Sequence, residues 1–179
     1  MKIQSTKQMV LSGVFIAIGL VLPMVFHAIG GGGAVFLPMH IPVIIGGFFL
    51  SIPYALLVGV LTPVLSSLLT GMPPAFPTLP FMIFELATYG IMVSLLYRKY
   101  KMNVYISLVA SMVCGRIMAG AVVWVLATFF AAKLPSPIIF ISGAVTTGIP
   151  GIIIQLIFIP VLVMAMNKSR TTVEIKNLS

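Results

Sequence analysis

Apolar residues occupy this chain in long unbroken blocks. They show neither the alternation of a half-buried strand nor the single stripe of a soluble helix, and glycine, proline and charged residues separate the blocks. Six segments follow from this pattern. The first runs from about Met9 to His27 and ends at Gly30 to Gly33. The second, about Ile41 to Leu50, is short unless residues 35–39 contribute, and Pro38 and Pro42 make that end irregular. A reversal at Ser51, Ile52 and Pro53 leads to the third, about Tyr54 to Leu69, and a proline-rich loop, Gly71 to Pro80, follows. The fourth, about Phe81 to Tyr97, is closed by Arg98, Lys99 and Lys101. The fifth, Val104 to about Ala132, and the sixth, about Ile138 to Met166, exceed an untilted crossing, and Pro150 and Pro160 are expected kinks in the sixth.

A helical crossing takes roughly 20 apolar residues, so the 179 residues are nearly filled by five or six of them. The expectation is an all-α integral membrane protein: one six-transmembrane-helix bundle over residues 1–179, with no soluble domain. Composition agrees, since 60% of residues are hydrophobic, 7% are charged and the mean hydropathy is +1.23. The start resembles a signal peptide, with Lys2 and Lys7 before an apolar run. That run is long, lacks a small-x-small cleavage site and precedes further spans, so it reads as a retained first helix.

Ten Lys and Arg against two Glu give a net charge of +8, a balance that in a soluble protein would point to nucleic acid. Here the charges flank the spans. With both termini cytoplasmic, Lys2, Lys7, Arg98, Lys99, Lys101, Lys168, Arg170 and Lys176 lie inside and only Lys133 outside, which fixes the orientation and removes the case for nucleic acid. The chain is expected to cross its membrane many times, with both termini on the cytoplasmic side. The outer loops, Gly30 to Met39, Gly71 to Pro80 and Lys133 to Pro137, are almost uncharged. Loops solvated by water are ordinarily more polar, so these are expected to fold back on the bundle as a lid, the alternative being a rest in the headgroup region.

An ionisable group in hydrocarbon is a functional candidate by default. There are two. Glu85 lies roughly 7 Å below the outer end of the fourth segment and Arg116 roughly 18 Å above the inner end of the fifth. Either they pair, or Arg116 faces a cavity and meets an anionic or carbonyl-bearing ligand that Glu85 orients. Helical spacing puts Ala119, Gly120, Val123 and Trp124 on the face of Arg116, and Thr88 and Tyr89 on that of Glu85. Thr146 and Thr147 lie at a similar depth in the sixth segment, just before Gly148 and Pro150. The ordinary alternatives are an interfacial role for Trp124 and back-bonding by the threonines. Gln155 reads as structural and Cys114 as a small core residue.

His27 and His40 bracket the first outer loop, but no Cys or Asp completes a metal site, and no cofactor is expected. The run Gly30 to Gly33 lacks the strand and acidic residue of a dinucleotide fingerprint and reads as a hinge. No Walker A motif and no acid/base or nucleophile set is present, so an enzyme is not expected. In the first segment Gly13 and Ala17 form a small-x-x-x-small pair, either for internal packing or for docking a membrane partner.

Together with that pair, three stretches carry a resemblance: Leu37-Pro-Met-His-Ile-Pro-Val-Ile, Gly59-Val-Leu-Thr-Pro-Val-Leu-Ser-Ser-Leu-Leu-Thr-Gly-Met-Pro-Pro and Phe84-Glu-Leu-Ala-Thr-Tyr-Gly. The chain resembles, over nearly its whole length, the substrate-binding S component of energy-coupling factor (ECF) transporters. The resemblance implies a vitamin or related micronutrient bound in an outward-facing pocket beneath the first and third loops, between helices four to six. It implies no ATPase activity in the chain itself, and association with a transmembrane T component and two cytoplasmic ATPases. Gly13 and Ala17 match the family's alanine-x-x-x-alanine docking pair, with glycine in place of the first alanine. The pattern looks most like the pantothenate-type members; niacin, cobalamin, folate and pyridoxine-like ligands stay open. The candidate substrate-binding set is Arg116, Glu85, Tyr89, Gly120, Trp124, Thr146, Thr147 and His40. Two other classes compete: a stand-alone secondary transporter in which Glu85 carries a proton, and a membrane assembly factor that binds no small molecule.

Overall fold

The computed structural model describes residues 2–28, 32–130, 132 and 134–176, and among these the side chains of all but 2, 3, 27 and 169–176. Gly30, Gly31, Lys133 and the His27 side chain therefore lie outside the described residues. The elements are α1 (Lys2–Ala28), α2 (Gly33–Phe36), α3 (His40–Phe49), α4 (Ile52–Thr70), α5 (Thr78–Val93) with a π-helical continuation (Ser94–Lys99), α6 (Val104–Phe129) and α7 (Pro137–Lys176). Five of these, with α5 and its continuation taken as one, are long and apolar enough to cross a membrane.

The predicted second segment is the one that differs from a simple span. It is built from α2, a three-residue link and the ten-residue α3, which alone rises only about 15 Å, half the hydrocarbon thickness. It nevertheless returns alongside α1. At one end the rings of Phe26 and Phe36 lie 5.3 Å apart, and at the other the Gln8 side chain reaches the Phe49 carbonyl at 3.5 Å.

α3 is the centre of the bundle. Nine of its ten residues are buried, and Val43, Ile44, Phe48 and Phe49 pack with Val58 of α4, Leu86 and Val93 of α5, Leu108 of α6 and Ile159 and Val163 of α7. Small residues let backbones close on each other, as membrane helices require where no water drives them together. A Cβ at Gly59 would sit 2.6 Å from the Leu86 carbonyl oxygen, and one at Gly90 2.6 Å from that of Ala55, so α4 and α5 are in backbone contact.

Prolines explain where the boundaries move from the sequence expectation. α4 begins at Ile52 with Pro53 in its first turn, and α5 at Thr78 with Pro80 in its first turn, because the missing N–H has no helical partner there in any case. The reversal is thus shorter than predicted and the proline-rich loop ends at Pro77. α7 continues unbroken through Pro150 and Pro160. The exterior is apolar: Met9, Val14, Val21, Leu57, Val113, Ile117, Ile153 and Ile157 are all exposed, as a lipid-facing surface demands.

Candidate substrate-binding site

Glu85 is on α5, two turns from its start, and is 2% exposed. Its Oε1 accepts from Arg116 Nη1 at 2.7 Å and from the Tyr89 hydroxyl at 2.9 Å. Tyr89 follows by four residues on the same helix face, and α6 meets that face because Gly115 lies against the Tyr89 ring, where any side chain would overlap it. The glycine before Arg116 is therefore what brings the guanidinium within reach.

His40 enters from the start of α3. Its Nε2 is 3.6 Å from Glu85 Oε1, beyond hydrogen-bond reach, and its ring centroid is 5.4 Å from that of Tyr89. The residue is buried, and neither imidazole nitrogen has a hydrogen-bond partner among the described residues. An orphaned buried polar group costs about 1–3 kcal/mol, and Nε2 is left with only its electrostatic contact to Glu85. The Arg116 side chain is more open than its partner, at 12% exposure against 3%.

The segment before α3 closes this region against α7. Leu37, in the left-handed conformation at φ 50°, packs on Gly148, and a Cβ at Gly151 would lie 2.7 Å from the Phe36 carbonyl group. A Cβ at Gly148 would also lie 3.8 Å from Arg116 Nη2. Gly148 and Gly151 are where the first loop sinks into the bundle beside the guanidinium.

The structure thus brings Arg116, Glu85, Tyr89 and His40 together. The other sequence candidates make none of these contacts. Gly120 is a packing position facing Ile141 of α7. Trp124 is 55% exposed, with its ring edge-on to Phe129. Thr146 is exposed and its hydroxyl donates back to the Ser142 carbonyl at 2.9 Å, while Thr147 is exposed. Among the described residues no cluster of three His, Cys, Asp or Glu forms.

The family model described as ECF transporter, substrate-specific component, matches residues 7–163. The chain belongs to that family. No curated protein and no solved structure matches it. As an ECF substrate-specific component it is a multi-pass membrane protein that binds a small molecule for an importer, with T and ATPase partners, and it is not an enzyme. On the partner question the surface of α1 is relevant. Gly13 is exposed with open space where a Cβ would project, and Met9, Val10, Val14 and Ile18 beside it are exposed too.

Proposed function

We propose that this S component is the high-affinity receptor for a vitamin-like micronutrient, pantothenate being the favoured one, in a pocket bounded by α5, α6 and α7. The pocket opens outward beneath the segment 32–39 and the loop 71–77, with the termini in the cytoplasm of a bacterial cell. The observation that carries this reading is the orphaned imidazole of His40 beside the Arg116 and Glu85 pair. A buried polar cluster that satisfies only some of its members is built for an occupant.

Import is energised by a T component and two cytoplasmic ATPases, docked through the open Gly13 and Ala17 face of α1. Mass spectrometry of the small molecule that co-purifies with the protein tests the receptor reading. Arg116→Ala should weaken its binding about tenfold or more, the loss of one charge-assisted hydrogen bond. Unchanged affinity removes Arg116 from the pocket. Ala17→Trp should abolish assembly with the T component and leave binding by the isolated subunit intact. Uptake that survives without the ATPases and collapses with the proton gradient would replace the reading with a proton-coupled carrier.

A further inference from the structure

We infer that the end of the bundle where α5 gives way to α6 binds an anionic phospholipid, its headgroup held by Arg98, Lys99, Lys101 and Lys168 and an acyl chain laid along α6. The inference does not depend on which nutrient the pocket takes.

Backbone and charge converge at this end. After the π-helical turn the Tyr100 N–H bonds to the Leu95 carbonyl and the Met102 N–H to the Leu96 carbonyl, both at 3.0 Å. Between them Lys101 lies in the left-handed region at φ 56°. Glycine ordinarily takes that closing position, because a Cβ is crowded there. A lysine keeps a cation at the rim against the backbone's preference, and strain of this kind is held where a site uses it. The Asn167 amide donates to the Tyr97 hydroxyl at 2.8 Å, which pins the end of α5 to α7. Arg98 and Lys168 are the next residues along each helix, so two cations flank that bond. Lys99 Nζ is 5.8 Å from the centroid of the Tyr100 ring. Among the described side chains the one acid is Glu85, already paired with Arg116. The other acid of the chain, Glu174, falls between Arg170 and Lys176 in the sequence.

The basic turn opens onto an apolar surface. Tyr105, Ile106, Val109, Val113 and Ile117 are exposed on α6, and the spacing of the last four by three and four residues makes them one strip that starts beside the turn. Tyr100 and Tyr105, exposed at its foot, are of the kind that settles at headgroup level. An amphiphile with a negative head and an apolar tail answers both the cations and the strip, whereas a free phosphate answers only the cations. Each basic residue near the membrane surface strengthens the hold on an anionic lipid about fivefold. Positive charge alone orients a chain without retaining any one lipid. The pinned helices and the left-handed lysine are what make this end a discrete site.

The test titrates the full-length chain in detergent with dioleoylphosphatidylglycerol and with dioleoylphosphatidylcholine, which differs only in its headgroup, and counts bound lipid by native mass spectrometry. One phosphatidylglycerol should be held about tenfold or more tightly than one phosphatidylcholine, the combined effect of several cations. Arg98→Gln with Lys168→Gln should remove most of that preference. Lys101→Gly alone should lower it about fivefold while the protein melts no lower than the parent, because glycine relieves the left-handed backbone. Lys7→Gln, on an α1 that packs against α3 and α4, should leave it unchanged. Equal retention of the two lipids overturns the inference, as does a full preference in the double variant or, should that variant not fold, in Lys101→Gly. A lower melting temperature for Lys101→Gly also overturns it, since the lysine would then serve the fold. An equal loss in Lys7→Gln does so as well, because the attraction would belong to basic residues in general. Displacement of the lipid by glycerol phosphate would make a free phosphate the occupant and overturn the choice of a lipid.

Discussion

Two polar junctions sit in this apolar bundle, one part-buried and one buried, and they are finished to different degrees. Where α1 begins and α3 ends, the chain closes its accounts: Gln8 Oε1 accepts from the Ser51 backbone N–H at 2.8 Å, Ser94 Oγ donates to the Leu50 carbonyl at 2.8 Å, and Ser5 and Tyr54 share a hydrogen bond at 2.8 Å. The first two satisfy backbone groups that the α3–α4 reversal would otherwise leave bare, and the third ties α1 to α4 at an exposed rim. At the Glu85 junction the interior holds a charged pair, a tyrosine hydroxyl and an imidazole, and the imidazole has no hydrogen-bond partner among the described residues. The first junction is complete without any other molecule. The second holds polar capacity that only an occupant uses, which is the physical difference between a structural polar site and a receptive one.

Glu85→Gln should break this contrast most severely, because it strips the counter-charge from a mostly buried guanidinium. Removing one member of a buried pair costs about 3–5 kcal/mol, read as a fall in thermal stability of the purified protein. Replacing both, as Glu85→Leu with Arg116→Met, should recover most of that stability without restoring ligand binding, since well-packed apolar pairs match buried ion pairs energetically. Recovered stability with retained binding would show the pair to be scaffold alone. At the other junction Gln8→Ala leaves the Ser51 N–H bare and should cost about 1–3 kcal/mol with ligand affinity unchanged. Ser94→Ala, which bares only the Leu50 carbonyl, should cost about 1 kcal/mol, again without touching affinity.

Much of this architecture is legible in the order of residues. Long apolar blocks mark the helices, and the rarity of ionisable groups inside them singled out Glu85 and Arg116, now seen 2.7 Å apart. Spacing by four puts Tyr89 on the face of Glu85, and its hydroxyl donates to that carboxylate. Helical spacing gives a stripe but not the direction in which each of its members points. Gly120 and Trp124 follow Arg116 on paper, yet one turns to Ile141 and the other outward beside Phe129. A helix face wide enough to hold four residues spans more than one neighbour, and sequence does not say which neighbour each meets. His40 stands in the candidate set with no partner assigned to it by sequence. Its importance comes from what it fails to bond, a property of the folded interior that no local pattern encodes.

Gln155 puts the contrast to its finest test. It lies one turn beyond Gly151 on the buried face of α7, is 1% exposed, and its Nε2 has no hydrogen-bond partner among the described residues. If an unsatisfied amide nitrogen simply costs energy, Gln155→Leu removes that cost at nearly constant volume, and stability should stay within about 0.5 kcal/mol of the parent or rise. A loss of about 2 kcal/mol would mean that a buried water completes the amide. An orphaned group would then no longer distinguish a receptive junction from a finished one, and His40 would need the same scrutiny. Unchanged stability with weakened ligand binding would instead extend the receptive junction one turn along α7, and the ligand would have to reach that far.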